Sequence, residues 1–300
     1  MKRQHTIKEI IDTAAFMAKR GEEWQLRSVN SNYELITPSQ TLRHLKRKDL
    51  TPRELGFIRR VKNYVIKNEI HCKFTEIYMP SDVKYVWVNR QEPNTVMDDV
   101  LEIDIDEAYW QTAYLLGVIP EGLYNEGRKE NGQISKVARL VALGSLAKKT
   151  SLYEFKGNKI VKRKVERMEL TENVWYTICK RVSDVMGEAM MAAGKDFLFY
   201  WVDGIYMRNT PEAMSRVAKV FTDWGYQWKV RPIQKIEFEV KGFKVYDIGV
   251  SEPRPFFYPR KRKRTDHGLD EEYNLHELCN DVLKGRVKHY SEYLKQGTRD

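Results

Sequence analysis

Hydrophobic and polar positions alternate with two different periods along this chain. In residues 6–20 the apolar positions recur every three or four residues, which predicts an amphipathic helix. Thr37-Pro38-Ser39 and Leu50-Thr51-Pro52-Arg53-Glu54 are typical helix starts, with a hydroxyl cap and an early proline; the second predicts a basic helix to about Lys67. Its cations fit either a nucleic-acid backbone or an ordinary solvated face: Arg59, Arg60, Lys62 and Lys67.

The middle of the chain alternates with a period of two. Val100–Asp106 predicts a strand with Glu102, Asp104 and Asp106 on one face, and Phe197–Tyr200 and Ile205–Met207 predict a hairpin around Asp203-Gly204. The other predicted elements are a strand at 85–88, helices at 107–116, 134–149, 171–193 and 211–225, a hairpin at 151–164, two strands within 233–249, a basic bend at 253–264 and a short helix from about 270.

This order favours an α+β fold in which helices cover one face of an antiparallel sheet. We expect three regions: a helical, basic N-terminal region at 1–97, the main sheet and its helices at 98–250, and a basic linker with a helical tail at 251–300. No apolar run approaches the roughly 18 residues of a membrane helix, and no apolar signal core follows the first residues. We therefore expect a cytoplasmic protein with no membrane contact.

The composition adds an electrostatic preference. The chain has 300 residues and a net charge of +10, from 52 basic and 42 acidic residues, which favours a polyanionic partner. The three cysteines, at 72, 179 and 279, are too widely spaced for a zinc knuckle or a disulfide framework, which is typical of reduced thiols in the cytosol.

A few acidic residues stand in apolar surroundings. Asp104 and Asp106 lie at the end of one apolar strand, and Asp203 follows the aromatic segment that begins at Phe199. Burying a carboxylate is costly unless a cation or hydrogen bonds compensate, so these positions indicate a site for magnesium or manganese. The alternative is that Asp104 and Asp106 cap the following helix and Asp203 makes a turn.

In order along the chain, three segments resemble the palm motifs of family B DNA polymerases. Asp104-Ile105-Asp106-Glu107-Ala108-Tyr109 is similar to the first motif and keeps its aspartate and tyrosine in register. The resemblance implies that Asp104 binds two metal ions, that Ile105 and Tyr109 contact the incoming nucleotide, and that Tyr109 excludes a ribose 2′-hydroxyl.

The second and third motifs are less complete. Lys136 and Gly144 keep the spacing of the family's nucleotide-binding helix, which implies that Lys136, with Arg139 one turn on, meets the triphosphate. Trp201-Val202-Asp203-Gly204 resembles the hairpin motif, with Asp203 as the second metal ligand. Tryptophan replaces the motif's first acid, and Asp106 is the candidate to substitute for it.

Further basic residues are expected to bind DNA. Lys241 and Lys244 resemble the family's primer-gripping strand, and residues 260–264 form a run of cations suited to a thumb or linker: Arg260, Lys261, Arg262, Lys263 and Arg264. Only 103 residues precede Asp104, too few for the family's exonuclease domain, so no proofreading is expected.

The resemblance implies a compact palm with fingers-like helices and a small thumb-like tail. It predicts template-directed DNA synthesis by two magnesium or manganese ions, with primer–template DNA and deoxynucleotides as substrates and a replication accessory or priming protein as a further partner. Small size and basic charge favour a phage or mobile-element protein acting in a bacterial host. The alternative is a catalytically decayed palm that binds DNA or a replication partner.

Overall fold

The computed structural model describes residues 5–29, 32–44, 50–78, 80–147, 149–157, 159–167 and 169–258. The α-helices are α1 (Ile7–Lys19), α2 (Pro52–Lys67), α3 (Ala108–Leu115), α4 (Glu121–Gly127), α5 (Lys136–Gly144), α6 (Glu169–Ala193) and α7 (Pro211–Asp223). The strands are β1 (Glu23–Val29), β2 (Asn32–Ile36), β3 (Thr41–His44), β4 (Val86–Val88), β5 (Val96–Ile105), β6 (Lys149–Lys156), β7 (Lys159–Arg167), β8 (Phe197–Trp201), β9 (Gly204–Arg208), β10 (Trp228–Phe238), β11 (Gly242–Asp247) and β12 (Arg254–Phe257).

These elements form two compact units. Within the described residues, the first combines the N-terminal part of the chain up to Leu50 with the β6–β7 hairpin, and the second contains residues 51–147 and 169–258. The predicted division at 97 and 250 therefore differs from the structural one, because β6 pairs with β1 and so draws the hairpin into the N-terminal unit.

The first unit is a five-stranded antiparallel sheet in the order β3-β2-β1-β6-β7. Trp24, Leu26, Leu35 and Phe155 form its core with the apolar side of α1, as the helical period of residues 6–20 predicts. The prediction of a helical N-terminal region is wrong where β1, β2 and β3 lie. Thr37 begins a tight turn between β2 and β3, in which its hydroxyl accepts from the Gln40 N–H at 3.1 Å, so the Thr-Pro-Ser signal starts no helix.

The second unit contains a seven-stranded sheet in the order β12-β11-β10-β5-β9-β8-β4, and every neighbouring pair is antiparallel. Its helix-covered face buries Ile103 and Ile205 against α6 and α7. Its other face carries an aromatic cluster around Phe199, Phe243 and Phe238. The α+β class and the antiparallel sheet are thereby confirmed. No helix within the described residues is long and apolar enough to cross a membrane.

Candidate active site

Asp104 lies near the end of β5, the central strand of the second unit. Ile103 and Ile105 are buried on the helix-covered side of the sheet, so the alternation of the strand places Glu102 and Asp104 on the other side. Asp106, predicted on the same face of the strand, lies in the turn that follows it. The side chain of Asp104 is 25% exposed. Across the sheet Asp104 is directly opposite Gly204 of β9 and Lys229 of β10.

The turn that joins β8 to β9 brings Asp203 beside Asp104. The Asp203 carbonyl accepts from the Ile105 N–H at 3.0 Å, and the Val202 N–H donates to the Tyr85 carbonyl at 2.6 Å. Val202 has φ of 60°, a left-handed conformation that a β-branched residue rarely adopts and that costs on the order of 1–3 kcal/mol. Its surroundings therefore hold this turn against a local preference, as is common at functional sites.

Gly204 leaves space above the acids. A Cβ at this position would stand 3.1 Å from Glu102 Oε1 and 3.6 Å from Asp104 Oδ1. The first distance is shorter than an ordinary contact, so a larger residue would push against the carboxylates. Glycine here keeps the approach to Asp104 open.

Both carboxyls have raised pKa values. Burial, and next the charge of Asp104, raises the pKa of Asp203 to about 6. Burial also raises the pKa of Asp104, against the opposing effect of the Lys229 ammonium. Neighbouring acids whose charged forms are disfavoured attract a cation, because a divalent ion relieves both the burial and the repulsion.

Two lysines reach these acids from different elements. Lys229 Nζ lies 2.9 Å from Asp104 Oδ2 and 3.4 Å from Asp106 Oδ1. The charge of Lys136, the first residue of α5, lowers the pKa of Asp203 and so offsets part of the increase caused by burial. Asp106 is thus paired with a lysine in this structure.

Tyr109 lies in the first turn of α3, which directly follows β5. Its ring stacks on Trp175 of α6, with centroids 5.7 Å apart and planes tilted by 23°. Burial raises the pKa of its hydroxyl, and the charge of Asp203 adds to the increase. The charges of Asp104 and Lys136 thus act on Asp203, and the charge of Asp203 acts on Tyr109.

Two predicted nucleotide contacts are not supported by the positions of their side chains. Ile105 is 1% exposed, and its side chain belongs to the helix-facing core, because it alternates with Asp104 along the strand. Arg139 is buried: its guanidinium pairs with Glu107 at 2.6 Å and donates to the carbonyls of Gly127 and Ile134. Arg139 ties α5 to the end of β5 and is not presented to a phosphate.

The residues predicted to bind DNA differ in their surroundings, and the structure describes only some of them. Lys241 is exposed in the turn between β10 and β11. Lys244 forms an ion pair with Glu239 at 2.5 Å, so its charge is already neutralised. The cationic run Arg260, Lys261, Arg262, Lys263 and Arg264 lies outside the described residues, as does the helical tail predicted from about 270.

Sequence reasoning missed Lys229 and its neighbour Arg231. Arg231 donates to Glu102 through Nε at 2.8 Å, and Glu102 also accepts from the Tyr206 hydroxyl at 2.6 Å. Both cations lie on β10, whose first half is not recognisable as a central strand because Pro232 cannot donate a ladder hydrogen bond. The alternation of Lys229 and Arg231 was the available signal.

The donors of this site suit a hard cation. Asp104 and Asp203 supply carboxylate oxygens in partly buried surroundings, and magnesium is commonly held by one or two carboxylates together with waters and substrate phosphates. In the part of the chain that the structure describes, no group of three or more His, Cys, Asp or Glu side chains is arranged to hold a metal. Any ion here would depend on the substrate for its remaining ligands.

Comparisons with known proteins do not assign the chain to a family. No protein-family model matches the chain, and no curated protein does.

Proposed function

We propose that the second unit is a polymerase palm that transfers a nucleotide from a deoxynucleoside triphosphate to a primer 3′-hydroxyl under the direction of a template. The observation that carries this proposal is that Asp104, on β5, lies beside Asp203, in the turn that leads into the neighbouring strand β9, and that both carboxyls have raised pKa values. Perturbed acids of this kind are common at catalytic sites.

Asp104 and Asp203 would hold the divalent ions, with Asp106 two residues beyond Asp104 in the turn after β5. Two such ions stabilise the attacking and leaving oxygens of a phosphoryl transfer. Lys136 is placed to attract the triphosphate by its charge, and its effect on Asp203 supports this position. Tyr109 presents a partly buried ring beside the acids, which is suited to packing against a sugar.

Lys229 supports the proposal in a second way. Its ammonium neutralises Asp104 and Asp106 in the absence of a divalent ion, since it bonds to both carboxylates. More than half of its side chain is exposed, at 56%, so it is able to move aside toward solvent. When it does, its charge becomes available to a nucleic-acid phosphate.

One observation favours a second candidate, a catalytically inactive module that binds DNA. The position before the hairpin turn carries Trp201 where the polymerase motif has an acid, and Asp106 is engaged by Lys229. A site with only two available carboxylates holds metal weakly. In this alternative, the basic residues around the acids bind the nucleic-acid backbone, and the protein catalyses no reaction.

Primer extension separates the two candidates. We expect the wild-type protein to extend a primed DNA template with deoxynucleotides and manganese or magnesium, and Asp203→Ala to lose at least about three orders of magnitude of rate, because one ligand of the reaction centre is gone. The matched control is Asp98→Ala, which removes an exposed acid from the same strand. Extension should survive in that control.

Isothermal titration completes the test. We expect manganese to bind the wild type and Asp98→Ala but not Asp203→Ala. Duplex binding without metal binding or extension, under varied salt and metal, would favour the inactive module. Equal extension by the wild type and Asp203→Ala would reject the site altogether.

A further inference from the structure

The outer face of α2 carries cations without partners among the described residues. Phe57, Val61 and Val65 are buried along its inner side. At 100° per residue, Arg59 lies on the side of the helix opposite these buried residues. Lys62 and Lys67 lie on either side of Arg59. Arg59 and Lys67 are exposed and Lys62 is half-buried. We call Arg59, Lys62 and Lys67 the basic stripe.

The basic stripe differs from three helix lysines that are paired along their own helix. Lys8 pairs with Asp12 at 2.5 Å, Lys219 pairs with Asp223 at 2.6 Å, and Lys180 pairs with Asp184, each four residues on. In α2 the residues four positions from the stripe are uncharged: Leu55, Ile58, Asn63, Ile66 and His71 when His is neutral. Like charges three residues apart repel, so Arg59 and Lys62 raise the free energy of the isolated helix.

The other arginines of α2 show that its charges are not simply left in solvent. Arg60 forms an ion pair with Glu126 at 2.5 Å, and Arg53 donates to Gln133. These two contacts join α2 to the surrounding chain. Within the described residues, the basic stripe is therefore the positive charge of α2 that forms no ion pair or side-chain hydrogen bond.

Hydrogen bonds fix α2, which carries the basic stripe, to the start of α5, which carries Lys136 of the candidate site. We call Asp104 and Asp203 the acid site. In the capping box of α2 the Glu54 carboxylate accepts from the Thr51 N–H, and the Thr51 hydroxyl accepts from the Glu54 N–H. The same carboxylate accepts from the Ser135 N–H at 3.3 Å. Ser135 is the N-cap of α5. The first residue of α5 is Lys136, whose charge lowers the pKa of Asp203. From Glu54 the helix runs about 20 Å to Lys67, at a rise of about 1.5 Å per residue.

We propose that the basic stripe binds the phosphate backbone of the nucleic acid whose end is held at Asp104 and Asp203. Residues 59–67 span about 12 Å, the length of three or four phosphates of one strand at about 3.4 Å each. The choice of nucleic acid rests on the proposed function. An anionic membrane suits this face less well, because the apolar side of α2 is buried in the protein and is not available to enter a bilayer.

The test compares two triple variants of the full chain. Arg59→Gln/Lys62→Gln/Lys67→Gln removes the basic stripe, and Lys8→Gln/Lys180→Gln/Lys219→Gln removes three paired lysines. Both changes lower the net charge from +10 to +7, so they differ only in where charge is lost. Binding of a fluorescent primer–template duplex is measured by anisotropy as a function of salt, without divalent ions.

We expect the slope of log K against log salt to fall by about 2–3 in the stripe variant, since each lost phosphate contact contributes about 0.9. The control variant should change by less than about 1, because its lysines are already neutralised. At moderate salt the stripe variant should bind at least about tenfold more weakly than the control. Circular dichroism of both variants should show unchanged helix content.

Equal slopes in the two variants would overturn the inference, and so would wild-type binding to anionic vesicles but not to the duplex. The binding assay needs no catalysis. A wild type that binds through the basic stripe but never extends a primer would reject the proposed polymerase and keep the inference. A wild type that extends primers but whose duplex binding ignores the basic stripe would reject the inference alone.

Discussion

On the proposed function, Tyr109 decides which sugar the site accepts. Its ring is held by the stack on Trp175, and such aromatic pairs contribute about 0.5–1.5 kcal/mol. We expect Tyr109→Ala to admit ribonucleoside triphosphates, because the truncated side chain leaves room for a 2′-hydroxyl. The preference for deoxynucleotides, measured as a ratio of kcat/KM values, should fall at least about tenfold, or about 1.4 kcal/mol.

Tyr114→Ala is the matched control for this prediction. Tyr114 is on the same helix and also stacks on an aromatic residue, Tyr124, with centroids 4.3 Å apart. Its loss should leave sugar preference unchanged. Trp175→Phe should keep most of the preference, since a stacked ring remains. An unchanged preference in Tyr109→Ala, with normal extension, would remove Tyr109 from this role.

At the scale of elements, Glu54 joins two helix starts with one carboxylate. Hydrogen bonds, first from the Ser135 hydroxyl and next from the Thr51 backbone, lower its pKa from 4.5 to about 2. We expect Glu54→Gln to destabilise the protein by about 1–2 kcal/mol at pH 7, because caps bonded to a charged group are stronger than neutral ones. Urea unfolding measures the change.

The pH dependence of this effect has a defined sign. A carboxyl whose pKa is lowered by folding stabilises the folded state above its unfolded pKa of about 4.5, and the stabilisation is lost as the pH falls toward 2. The difference between wild type and Glu54→Gln should therefore shrink between pH 5 and pH 2. Glu9→Gln changes the equivalent capping-box residue of α1 and should cost less. A constant difference across this range would contradict the assignment.

The elements that could be predicted are those in which the hydrophobic periodicity and the capping or turn residues at the ends indicate the same structure. The strand at Asp104, the hairpin at Asp203 and the capped helix from Thr51 all have both signals, and the structure contains them. Beside them, β10 was predicted to start too late because Pro232 interrupts it. Pro232 nonetheless lies opposite Leu101 in the middle of the sheet, next to an irregularity in the register at Ile233 and Lys235.

In the candidate site, too, some residues can be identified from the sequence and others only from contacts between distant parts of the chain. Asp104 and Asp203 stand out as acids in apolar segments, whereas Lys136 and Tyr109 are indicated only by the resemblance to polymerase motifs. The pairing of Arg139 with Glu107 depends on how α5 lies against the end of β5, which no local pattern contains. Lys229 likewise became visible only once β10 was paired with β5.

At the scale of the whole molecule, two units have separate hydrophobic cores. Trp24 belongs to the first: it stacks on Phe155 with centroids 3.8 Å apart and donates to the Gly157 carbonyl at 2.9 Å. The second core is built around β5, β9, α6 and α7. We expect Trp24→Ala to cost about 3–5 kcal/mol, as large aromatic truncations in a core do, and to lower the melting temperature of the first unit.

The same variant should retain the acid site, because the contacts that position Asp104 and Asp203 all lie in the second unit. Calorimetric scans with and without manganese make this measurable: the ion should raise the transition of the second unit in both wild type and Trp24→Ala, by mass action on the folded state. Trp24→Phe, which keeps the stack and loses only the hydrogen bond to Gly157, is the milder control. Loss of manganese binding in Trp24→Ala at a temperature where the second unit remains folded would show that the acid site depends on the integrity of the first core.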